Sequence, residues 1–135
     1  MANAFLEHVN VTVTNPEKTA ERLCSLFGWH IRWQGDAIHG GHSVHVGTDD
    51  SYLALYRGAE VSDGEVSSYG LRGGLNHIGI VVDDLDAAEA RIVAAGYTPR
   101  SHANYEPGRR FYFDDEDDIE FEVVSYQPAR ARQDA

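Results

Sequence analysis

The sequence is short of cysteine, of basic residues and of long apolar runs. Cys24 stands alone, so no internal disulfide framework can exist, and a reducing, cytoplasmic setting is the expectation. Eleven Lys and Arg face 22 Asp and Glu, a formal net charge of -11. That field repels polyanions, so neither nucleic acid nor an anionic membrane surface is an expected partner. No apolar run approaches the roughly 18 residues that cross a bilayer. The opening residues, Met1 to Phe5, lack the basic end and apolar stretch of a signal peptide. What is present is ordinary: 135 residues, 42% hydrophobic and 24% charged, enough for one domain with a core of its own.

The chain repeats itself. Glu7-His8-Val9-Asn10-Val11-Thr12-Val13 matches Asn76-His77-Ile78-Gly79-Ile80-Val81-Val82 at an offset of 69, which sets His8 on His77 and Arg22 on Arg91. Losing one residue then aligns Gly28 with Gly96 and Trp29 with Tyr97. Each copy opens on an alternating strand, with Val9, Val11 and Val13 on one face and His8, Asn10 and Thr12 on the other. Asn15-Pro16-Glu17 starts a helix whose apolar Ala20, Leu23, Cys24 and Phe27 run to a stop at Gly28. In the second copy Asp83-Asp84 starts the helix, Leu85, Ala88, Ile92 and Ala95 share a face, and Gly96 stops it. Three strands follow each helix, near 29–33, 43–46 and 52–56, then near 97–102, 110–113 and 119–126. The predicted organisation is a module at 1–57, a Gly- and Ser-rich linker at 58–74, a second module at 75–126 and a loose tail at 127–135.

Alternation decides what shares a face. Each helix must cover the valine side of its first strand, which leaves His8, Asn10, His77 and Gly79 on the opposite, concave side. At an offset of 68 the last strands phase alike. Leu53 and Leu55 match Phe121 and Val123 beneath the helices, and Tyr52 and Ala54 match Glu120 and Glu122 on the concave side. A histidine on a strand is commonly a hydrogen-bonded structural residue. Two at matched positions, with an inward carboxylate that needs a cation, make instead a candidate divalent-metal site. The cluster His39, His42 and His45 divides: His39 and His42 belong to a solvated turn, whereas His45 lies on a strand and can line the cavity. The run from Asp114 to Glu122 holds seven acids in nine residues but no glycine for an EF-hand turn, so Asp114 to Asp118 read as a solvated turn.

This arrangement resembles the vicinal oxygen chelate superfamily, which includes glyoxalase I, the extradiol dioxygenases and the bleomycin- and fosfomycin-resistance proteins. Glu7-His8-Val9-Asn10-Val11, Asn76-His77-Ile78-Gly79-Ile80 and Phe111-Tyr112-Phe113-Asp114 leading into Ile119-Glu120-Phe121 carry the resemblance. It implies an α+β fold in which two tandem βαβββ modules form a half-open barrel. It also implies a divalent ion (Fe2+, Mn2+, Zn2+ or Ni2+) held by His8, His77 and Glu120, with Glu120 catalytic as well. The family's fourth ligand position falls on Tyr52, which counts against glyoxalase I activity. The His-His-Glu set that remains resembles that of the extradiol dioxygenases, whose extra module pair this chain lacks. Tyr52, His45, Trp33, Arg57 and Tyr112 are the expected substrate contacts, with Tyr105 and Arg109 as further candidates. The implied function is a dioxygenase, isomerase or lyase acting on vicinal oxygens of a small molecule, in a homodimer. The alternative is a metal-free binding protein of the bleomycin-resistance type, sequestering a small, cationic ligand in an acidic cleft.

Overall fold

The computed structural model describes residues 3–64, 67–105 and 108–127. The chain divides into two compact units, residues 1–63 and 64–135, each a four-stranded sheet with one helix. The class is α+β, and both units follow the order βαβββ. No helix among the described residues is long and apolar enough to cross a membrane.

In the first unit β1 (His8–Thr12) leads into α1 (Pro16–Phe27), then β2 (His30–Asp36), β3 (His42–Gly47) and β4 (Tyr52–Arg57). The spatial order is β1-β4-β3-β2, with β1 parallel to β4 and the other pairs antiparallel. The Asn15 side chain caps α1 by accepting from the Lys18 N–H at 3.1 Å. Gly28 ends it at φ 71°, donating to the Cys24 carbonyl at 2.9 Å. The helix buries Ala20, Leu23 and Leu26 against Val44, Val46, Leu53 and Leu55. Each fully buried side chain of this size contributes about 1.5–3 kcal/mol. Cys24 and Phe27, expected on the inner face, are half-buried, and Leu26 takes the core position instead. The valine side of β1 does face the helix side, but α1 lies over β2, β3 and β4. Edge strand β1 is left with Val9 and Val11 half-buried, while Val13 is fully buried.

The second unit repeats the plan with β5 (Ile78–Val81), α2 (Leu85–Ala94), β6 (Arg100–Tyr105), β7 (Gly108–Asp114) and β8 (Glu120–Ser125), in the order β5-β8-β7-β6. Asp84 caps α2 through the Ala87 N–H at 3.0 Å, and Gly96 follows the helix at φ 100°. Leu85, Ala88 and Ile92 pack on a core of Phe111, Phe113, Phe121 and Val123. Ala95, at the C-cap, is exposed rather than part of that face. The 58–74 segment contains a short 3-10 turn at Ser68–Gly70. The predicted tail at 127–135 lies, beyond residue 127, outside the described residues.

Candidate functional site

Register fixes which side chains stand together on the sheet face away from each helix. In the first unit His8 pairs with Tyr52, Asn10 with Ala54, and His45 with both Ala54 and Trp33. The rings form a ladder across the strands. Trp33 and His45 have centroids 4.9 Å apart, His45 and Tyr52 4.6 Å, and Tyr52 and His8 4.9 Å. The Arg32 guanidinium lies 4.4 Å from the Tyr52 ring centroid, a cation–π contact. His8 donates from Nδ1 to Glu7 Oε1 at 2.8 Å, and the Tyr52 hydroxyl donates to the same oxygen at 3.4 Å. Burial, with His8 and Arg32 nearby, pushes the His45 pKa down. The hydrogen bond from His8 holds Glu7 below the usual carboxylate value, and burial together with Glu7 raises the Tyr52 hydroxyl.

Arg57 does not join this face. Two residues beyond Leu55, it alternates to the helix side, pairs in register with His42, and donates from Nη1 to the Thr14 carbonyl at 2.6 Å. His42 is also not simply solvated: its Nε2 lies 2.6 Å from the Glu17 carboxylate of α1. His39 sits at φ 57° in a 3-10 turn, outside the ladder.

The second unit carries the ionic face. Tyr112 pairs in register with Glu122, and Asp114 with Glu120. Glu122 is 8% exposed, and its Oε1 lies 3.1 Å from His77 Nε2. Its Oε2 accepts from Arg110 Nη1 at 2.7 Å. Glu120 Oε2 accepts from the Tyr69 hydroxyl at 2.7 Å, and the same oxygen is 4.0 Å from His77 Nδ1. Glu120 raises the Tyr69 pKa. Arg100 grips Asp114 through two nitrogens, at 3.0 and 3.2 Å, and reaches Glu120 Oε1 at 3.5 Å. The Tyr112 ring stands edge-on to His77 at 5.7 Å. Arg109 lies on the helix side, 3.4 Å from Asp86, away from these groups. The side chain of Tyr105 is outside the described residues.

Alternation puts Glu120 and Glu122 on one face, and the family resemblance implies Glu120 as the carboxylate that joins His77. By register, residue 77 does stand opposite 120, because Ile78 pairs with Phe121. Its imidazole leans along the strand and meets Glu122 through Nε2 instead, as side chains standing on a sheet can. Gly79 stands opposite Glu122, and a Cβ there would meet Glu122 Oε1 at 3.9 Å, an ordinary contact, so the lean does not depend on the glycine. The sequence pattern does not mark Glu7, Arg32, Tyr69, Arg100 or Arg110 as site residues, although Glu7 lies within the repeated motif that leads into β1; their side-chain contacts reveal them.

Asp115, in the turn between β7 and β8, departs from the solvated turn expected there. Its Oδ1 accepts the N–H groups of Asp117 at 2.9 Å and Ile119 at 3.0 Å. Burial drives its pKa up to about 6. The turn also sets Asp118 at φ 59°, a conformation glycine ordinarily supplies.

The donor chemistry in the second unit fits part of a divalent-ion site. One imidazole nitrogen and one carboxylate oxygen stand 3.1 Å apart, and His77 Nδ1 is buried without a hydrogen-bond partner among the described residues. Among the described residues no group of three or more His, Cys, Asp or Glu side chains is set to hold a metal ion.

No curated protein matches the sequence. A glyoxylase/bleomycin resistance protein/dioxygenase domain from Frankia sp. EAN1pec is 20% identical, with a TM-score of 0.76 over 93% of this chain and 100% of that one. TnmS3, an antibiotic binding protein from Streptomyces sp. CB03234, is 23% identical, with a TM-score of 0.69 over 93% and 98%. The fosfomycin resistance protein FosX from Listeria monocytogenes, in complex with Mn(II) and sulfate, is 18% identical, with a TM-score of 0.66 over 93% of each chain. At these identities the likeness is one of fold. The sequence signature that matches residues 5–123 is more specific, and by it the chain belongs to the Glyoxalase/Bleomycin resistance protein/Dioxygenase superfamily.

Proposed function

We propose that the chain is a divalent-metal-dependent enzyme of this superfamily, acting on a small molecule that offers adjacent oxygens, through a site of two histidines and one glutamate. The observation that carries the reading is the approach of His77 Nε2 to Glu122 Oε1, 3.1 Å apart on a largely buried polar face. In this reading His77 supplies the imidazole of the second module, and His8 is the matched donor of the first. Glu122 supplies the carboxylate in preference to Glu120, which is engaged by Tyr69 and Arg100. A divalent ion held there would supply Lewis-acid polarisation of the substrate oxygens.

The protein's own groups do the rest. Arg110 holds Glu122 through Oε2 while Oε1 approaches His77. Within the first unit, His45, whose pKa is pushed down by burial, offers a proton acceptor, and Trp33 and Tyr52 offer an apolar surface. Glu120 is the second carboxylate of the face and a candidate proton carrier through the Tyr69 hydroxyl. The net charge of -11 agrees with a small-molecule partner rather than with nucleic acid or an anionic membrane, and the proposed setting is a cytoplasmic homodimer.

Equilibrium dialysis of metal-free protein against Fe2+, Mn2+, Zn2+ and Ni2+ tests the reading. One equivalent is expected, lost in His77→Ala and Glu122→Gln and kept in Glu120→Gln. Uptake of none of the four ions, or full uptake by Glu122→Gln, overturns it. The second reading, a metal-free binder, is favoured by the aromatic ladder from Trp33 to His8. Quenching of tryptophan fluorescence by a cationic aromatic ligand, unchanged in His77→Ala, would select it.

A further inference from the structure

We propose that Glu7 is a positioning residue that fixes the His8 ring in its Nδ1–H form and so leaves Nε2 as the lone-pair donor of the first module. The ionised carboxylate can only accept, so the 2.8 Å contact from His8 Nδ1 to Glu7 Oε1 requires the proton on Nδ1. A neutral imidazole carries one N–H, and Nε2 is then the free acceptor. A second restraint acts on the ring plane, which stacks on Tyr52 at 4.9 Å with only 14° between the planes. The Tyr52 hydroxyl donates to the same Glu7 oxygen at 3.4 Å, so one carboxylate holds both members of the stack.

The backbone puts Glu7 in place. It directly precedes β1, and its carbonyl accepts the Tyr52 N–H at 2.9 Å. The parallel ladder is thereby extended by one rung while the side chain turns toward His8. The other half of the repeat lacks this device. Asn76 stands where Glu7 does, and His77 turns Nε2 to Glu122 while its Nδ1 is buried without a hydrogen-bond partner among the described residues. The two matched imidazoles are therefore set differently: His8 by a carboxylate behind the ring, His77 by one at Nε2. A carboxylate behind an imidazole is the arrangement that fixes the tautomer of metal-ligating histidines. The role toward a metal rests on the function proposed above, whereas the tautomer does not.

Long-range proton–nitrogen-15 spectra of the metal-free protein, taken above the imidazole titration range, read the tautomer directly. His8 is expected as the Nδ1–H form. Glu7→Ala should shift it toward the Nε2–H form that free histidine side chains favour, and Glu7→Gln, whose amide oxygen still accepts, should retain most of the Nδ1–H form. An Nε2–H ring in the parent protein, or no change in Glu7→Ala, overturns the inference. Calorimetric titration with Mn2+ is the second arm, where Glu7→Ala should bind about 10–100-fold more weakly. Parent protein that binds Mn2+ with an affinity unchanged in Glu7→Ala overturns the positioning role. If the tautomer behaves as expected but the parent takes up no metal, the metalloenzyme reading fails and the tautomer assignment stands.

Discussion

Replacing Asp115 by Asn measures what it costs to half-bury a carboxylate in the turn that delivers β8 and its two glutamates. The Asp115 Oδ1 accepts from Asp117 and Ile119, and an Asn oxygen can accept from both, so the turn keeps its hydrogen bonds and loses only the charge. Burial lifts the carboxyl from its ordinary 3.8 to about 6, against the opposing pull of those two N–H groups. A raised folded-state value means that the fold binds the proton more tightly than the unfolded chain does. The stability this confers is fully present below pH 3.8 and is lost as pH climbs through about 6. Two units correspond to about 3 kcal/mol. Water reaches part of the group, which screens this to about 1–2 kcal/mol. Asp115→Asn should therefore melt close to the parent near pH 4 and about 4 to 7 °C above it at pH 7, taking a domain of this length. Circular dichroism melts at a series of pH values decide the matter. A difference that fails to widen with rising pH, or an Asn variant that melts lower at pH 7, refutes the reasoning.

Further expectations concern the core, the caps and the buried pair. Leu55→Ala, at a fully buried site beneath α1, should lose about 2–5 kcal/mol in urea unfolding. Gly28→Ala meets no neighbouring atom but must hold φ near 71°, so a loss of about 1 kcal/mol is expected from backbone strain alone. Arg110→Met strips Glu122 of its cation and should cost about 3 kcal/mol or more, much of it regained when Glu122 is also changed to Met; chemical denaturation of the single and double variants measures this.

The fold was readable because repeat, period and punctuation agreed. Asn15 and Asp84 cap where their chemistry says they should, and Gly28 stops α1 with the left-handed backbone that its lack of a Cβ permits. Alternation likewise gave the right faces, with Tyr52 beside His8 and Glu122 opposite Gly79. What alternation cannot give is the lean of a side chain along its strand, and that is why His77 meets Glu122 although Glu120 is its register neighbour. Alternation from Leu55 does put Arg57 on the helix side, but only once β4 is seen to continue one residue past Tyr56. Asp115 looked like one more surface acid; only the closed turn shows two backbone N–H groups converging on it.

The contrast between Ala54 and Glu122, equivalent positions of the two halves, has a practical consequence. The ladder from Trp33 to His8 is held largely by ring contacts, whereas the face around His77 is a lattice of opposite charges. Added electrolyte weakens the more exposed pairs on this face, those of Arg100 with Asp114 and Glu120, far more than the largely buried Arg110–Glu122 pair, and leaves stacking almost untouched. Titrating a small molecule at rising potassium chloride concentration would thus reveal which half it touches, before any crystal of the complex exists.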